Sequence, residues 1–108
     1  MQLMTKALEK RFEALGTQDG DGAIVVTSFF DPCGSWTWYA TEWLPDHCEG
    51  GAFFGLVDGL ESELGYFALA ELAAYRGPLG LGIERDLYWH EKPLSDVQAE
   101  VDSRRRAS

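Results

Sequence analysis

The 108-residue sequence is poor in positive charge. Nine lysines and arginines face eighteen acids, for a formal charge of -9 with histidine neutral, and no lysine or arginine lies between Arg11 and Arg76. That interval carries Glu13, Asp19, Asp21, Asp31, Glu42, Asp46, Glu49, Asp58, Glu61, Glu63 and Glu71. Nucleic-acid backbones are bound by lysines and arginines that displace condensed counterions, so this distribution argues against direct nucleic-acid binding. Cysteine is also scarce: Cys33 and Cys48 flank an expected strand from Ser35 to Leu44. A strand of that length spans about 33 Å, too far for its ends to share a disulfide or a zinc ion. Reduced thiols fit a cytoplasmic protein. No apolar run reaches the length of a membrane span, and Met1 to Arg11 has no signal-peptide core.

What remains describes one globular domain. Apolar residues make up 45% of the chain, aromatics 13% and charged residues 25%, which excludes disorder of the whole. Arg104, Arg105 and Arg106 fall in the last five residues and are expected to fray. The domain is therefore placed at residues 1–103, with a basic, disordered tail at 104–108. Without those three arginines the body carries 6 minus 18, or -12.

Thr5 is expected to cap a helix to Leu15, with Leu8, Phe12 and Leu15 on one stripe and Gly16 ending it. Ile24 to Phe30 reads as a first strand, and Asp31-Pro32-Cys33-Gly34 as a hairpin turn. In the second strand, period two puts Trp36, Trp38, Ala40 and Glu42 on one face and Thr37, Tyr39, Thr41 and Trp43 on the other. Rings on both faces mark a strand covered on both sides, hence a central one. Ala52 to Val57 and Glu63 to Phe67 follow as strands, then a short helix from Ala70 to Arg76, a strand from Ile83 to Trp89, and a last helix to Ser103 with Ser95 and Gln98 as a capping box. The fold class is thus α+β: a four- to five-stranded, mainly antiparallel meander with an N-terminal helix and one or two short C-terminal helices.

No catalytic signature emerges. His47 lies between Asp46 and Cys48, but adjacent residues point apart, and no metal-ligand spacing accompanies them. The glycines from Gly77 to Gly82 lack the lysine and hydroxyl of a phosphate loop. Neither a metal nor a cofactor is implied. Glu84 and Asp86 share a strand face with Arg85 turned away, an arrangement that suits ion pairing first and acid–base work second. The dense rings of the second strand suit core packing. As a contact surface, Tyr39 and Trp43 are the expected anchors, with Glu42, Asp46, Glu49, Glu61 and Glu63 as the charged surround. Stacking of single-stranded bases on Tyr39 and Trp43 is a further option that the charge opposes.

Ordered blocks run through most of the chain: Ser35-Trp36-Thr37-Trp38-Tyr39-Ala40-Thr41-Glu42, Phe53 to Glu61, Glu63-Leu64-Gly65-Tyr66-Phe67, Arg76 to Leu81, and Glu84-Arg85-Asp86-Leu87-Tyr88. From Leu3 to about Ser95 the sequence resembles the bacterial domain-of-unknown-function family 2958. The resemblance implies an accessory protein of plasmids, integrative elements and phages, and no particular activity.

Charge and resemblance together lead to a non-enzymatic, cytoplasmic interaction module of mobile elements. Its acidic middle is expected to bind a basic protein and so interfere with a nucleic-acid-processing machine. The alternative is a small-ligand-binding domain or small enzyme built on the Gly77 to Gly82 loop with Glu84, Arg85 and Asp86. A pocket lined by those side chains would distinguish it.

Overall fold

The computed structural model describes residues 1–107. In chain order the elements are α1 (Lys6–Leu15), β1 (Ile24–Val25), β2 (Thr27–Phe30), β3 (Thr37–Leu44), β4 (Ala52–Asp58), β5 (Ser62–Ala68), α2 (Leu69–Ala74), β6 (Glu84–Arg85), β7 (Lys92–Pro93) and α3 (Leu94–Ala107). Five strands form an antiparallel sheet in the order β5-β4-β3-β2-β6, and β1 pairs with β7 as a separate two-stranded ribbon. The fold is α+β, and the ring-rich β3 is central.

Each sheet face has its own core. On one, Phe53 is fully buried among Phe12, Phe29, Trp43 and Phe67, with ring centroids 4.9 to 5.8 Å away. Helix α1 reaches this cluster through Phe12; Thr5 caps it by accepting the Leu8 N–H at 3.2 Å, and Gly16 ends it at φ 63°. On the other face Val97 and Val101 of α3 pack on Val25, Tyr39 and Leu56. Burying a side chain of this size is worth about 1.5–3 kcal/mol, so the two helices hold the sheet from opposite sides.

The period-two reading of β3 breaks at Thr41. The β3–β4 register passes from Ala40↔Gly55 to Glu42↔Phe54, leaving Thr41 as the extra residue of a bulge. The bulge is fully bonded: Thr41 Oγ1 donates to the Phe54 carbonyl, and Gln18 Nε2 donates to the carbonyls of Thr41 and Ile24 while its Oε1 accepts the Ile24 N–H. In consequence Tyr39 and Trp43, expected on one face, lie on opposite faces.

The expected first strand is split at Val26 into β1 and β2, which belong to different sheets, and the last strand and both ends of α3 also differ from the sequence reading. The last strand shrinks to Glu84–Arg85, because Asp86 Oδ1 accepts the Tyr88 N–H and turns the chain away from β2. Ser95 and Gln98 form no capping box. The first N–H groups of α3 go to the backbone instead, Leu94 to Ala23 and Ser95 to Asp21, while Gln98 bonds Ser62 and Asp102. Finally, α3 continues through the arginines to Ala107 rather than fraying, since Arg105 is held by Asp58 at 2.6 Å and by the Gly59 and Leu60 carbonyls. Ser108, the end of the expected tail, lies outside the described residues.

A candidate aromatic and acidic groove

Helix α2 starts beside the β3–β4 loop, where the Leu69 N–H donates to the Gly51 carbonyl. It buries Leu72 in the core and ends at Tyr75, whose hydroxyl donates to Asp31 Oδ2 at 3.1 Å in the β2–β3 turn. The helix thus bridges the face but does not fill it. A cavity of about 400 Å³ opens between α2 and the strands, lined by Trp36, Trp38, Phe67, Leu72 and Tyr75, with Asp31 and Glu71 among its walls. A second hollow of about 310 Å³, lined by Val57, Leu60, Glu61 and Glu63, shares Trp36 with the first. Together they form a groove with an aromatic floor and carboxylates beside it. Among the described residues, neither hollow is lined by a lysine, an arginine or a histidine.

Local geometry fixes the rings. Trp38 pairs across the sheet with Phe29 on one side and Val57 on the other, which directs it onto the α1 and α2 face. Trp36 lies against Gly59, where an added Cβ would come 2.6 Å from the indole, so only glycine lets the ring sit flat there. The two indoles have centroids 5.9 Å apart and planes 39° apart. Asp31 Oδ1 accepts the Cys33 N–H at 3.0 Å. The hydrogen bond to Asp31 holds the Tyr75 phenol above the ordinary tyrosine pKa, with desolvation and the charges of Asp31 and Cys33 acting in the same direction.

The residues expected from sequence to form one contact surface are dispersed. Glu61 and Glu63 line the groove. Asp46 and Glu49 lie in the loop after β3, at the opposite end of the sheet from the turn that carries Glu61. Glu42 pairs with Phe54 on the face turned away from Trp43. Tyr39 is only 6% exposed, packs 5.7 Å from Trp89 and accepts a hydrogen bond from Arg104, so it is core and no contact anchor. Trp43 is packed on Phe53. The groove's own Asp31, Trp36, Trp38, Glu71 and Tyr75 do not stand out as a site in the sequence. Trp36 and Trp38 belong to the conspicuous run of rings, and Asp31 opens the turn just before them, which is the one signal that could have located it.

The alternative ligand site is also dispersed. Glu84 lines a cavity of about 560 Å³ with Leu81, Gly82 and the N-terminal residues. Arg85 is committed to the carbonyls of Gln2 and Leu3, and Asp86 lines a different, polar cleft with Ser28, Thr37, Trp89 and Arg104. Neither of these two cavities, among the described residues, brings the three side chains together. His47 stacks on Tyr66 at 4.3 Å, and Cys33 and Cys48 are both free. Among the described residues no cluster of histidine, cysteine or carboxylates is placed to hold a metal ion, and no helix is long and apolar enough to cross a membrane.

Comparison with curated proteins and with solved structures finds no match to either. A family model described as "Protein of unknown function (DUF2958)" matches residues 1–105, nearly the whole chain. The sequence blocks, the α+β fold that contains them and this match agree: the chain belongs to the DUF2958 family.

Proposed function

We propose that the protein is a non-enzymatic acidic interaction module that docks a basic protein in the groove between α2 and the sheet. The observation that carries this reading is the pairing of an aromatic floor, Trp36, Trp38, Phe67 and Tyr75, with the carboxylates of Asp31, Glu61, Glu63 and Glu71, and with no basic side chain lining it among the described residues. Tryptophan and tyrosine supply large contact area at low entropic cost. Carboxylates around them select cationic partners, raise the rate of encounter and repel polyanions. In this reading the module is cytoplasmic, is carried by mobile elements and targets a basic protein that processes nucleic acid. Occupying the target's cationic surface would keep nucleic acid from it.

The test is direct binding of the full chain to a labelled lysine- and arginine-rich polypeptide and to a labelled single-stranded oligonucleotide. The polypeptide should bind at about 0.05 M salt and lose most of its affinity at about 0.5 M, where the Debye length falls to about 4 Å; the oligonucleotide should not bind at either. Polypeptide binding that is absent or indifferent to salt, or tight binding of the oligonucleotide, overturns the reading.

A further inference from the structure

The walls of the larger hollow are specific enough to name what enters it. Resting on the docking reading above, we propose that the cavity between α2 and the sheet is a receptor for one arginine side chain of the basic partner. The cavity, about 400 Å³, is within the range of ligand pockets. Trp36 is 39% exposed and Trp38 half-buried beside it, so the tilted pair offers π faces to an incoming group. A guanidinium is planar and weakly hydrated and stacks on such faces, whereas an ammonium is a compact, strongly hydrated point charge.

The carboxylates complete the choice. Asp31 is held by the Cys33 N–H and the Tyr75 hydroxyl, one bond to each oxygen, and keeps lone pairs for further donors. Glu71, one helical turn before Tyr75, makes no side-chain hydrogen bond or ion pair with any described residue. A neutral apolar occupant would strip water from both carboxylates and leave them uncompensated. An arginine stem fits the apolar wall of Phe67 and Leu72 while its fork of donors reaches the acids.

The test uses the full chain with nitrogen-labelled tryptophan indoles, read by NMR during titration with N-acetyl-arginine methylamide and with its lysine and citrulline counterparts. The arginine probe should give saturable shifts at Trp36 and Trp38 and bind about tenfold more tightly than the citrulline probe, which keeps shape and loses charge. Glu71→Gln and Trp36→Ala, both at exposed positions, should each weaken it about threefold to tenfold, with unchanged indole shifts at Trp43 and Trp89 showing that the fold is intact. Equal binding of citrulline or lysine, shifts confined to other tryptophans, or an unaffected Glu71→Gln would overturn the inference. Polypeptide binding without arginine preference overturns this inference alone. Arginine preference without polypeptide binding supports the pocket and overturns the docking reading.

Discussion

Two residues show how much one position decides here. Gly55 stands opposite the bulge, where a Cβ would be driven into the Tyr39 carbonyl, backbone that has no room to move. Gly55→Ala should therefore cost several kcal/mol, about 3 or more, and chemical denaturation should show a variant that is partly or wholly unfolded. Tyr75 is the other. Its pKa is raised chiefly by the hydrogen bond to Asp31, so the folded state favours the protonated phenol. The stabilisation is complete at neutral pH and is lost as pH rises through the folded-state value. Carbon-13 NMR of the tyrosine rings should place the Tyr75 titration above the ordinary tyrosine value, and Asp31→Asn should bring it down. A Tyr75 titration unmoved by Asp31→Asn would mean the contact to α2 is not made in solution.

At the scale of elements, the sequence was legible where a physical signal is local. Thr5 and Gly16 bound α1, the Asp31 to Gly34 turn separates β2 from β3, and rings on both faces marked β3 as central. It was illegible where the decisive partner is remote. Nothing near Thr41 announces a bulge; its carbonyl is satisfied by Gln18 on the loop after α1, and its hydroxyl by Phe54 on the next strand. That bulge is why strict alternation groups Tyr39 with Trp43 although the two rings lie on opposite faces. Gln18→Ala strands groups at Ile24 and Thr41 and should cost about 2–3 kcal/mol by denaturation; a loss under about 0.5 kcal/mol would show that the bulge holds itself. The end of the C-terminal helix is illegible for the same reason. Arg105 reads as a frayed base until Asp58, held by two bonds of 2.9 and 2.6 Å, is seen beside it. Arg105→Ala should cost about 1–2 kcal/mol and raise amide exchange over the last turns of α3. If exchange there is unchanged, the arginines are not what orders the helix end.

At the scale of the molecule, the acids do not form a single patch. One group surrounds the groove, another occupies the β3–β4 loop, and Asp58 is neutralised by Arg105. A net charge of -9 therefore gives a general attraction for basic surfaces, while the groove gives the place where rings and carboxylates converge. The polar cleft on the α3 face holds Asp58, Asp86 and Glu100 beside Arg104, but Asp58 is paired with Arg105, Glu100 with Lys92, and Asp86 accepts the Tyr88 N–H, so its carboxylates are already engaged. The most direct test of this division is a chemical-shift map of the full chain saturated with the lysine- and arginine-rich polypeptide at low salt. The account predicts the largest changes at Trp36, Trp38, Glu61 and from Glu71 to Tyr75. Changes concentrated on the β3–β4 loop or on the α3 face, with the groove silent, would contradict it.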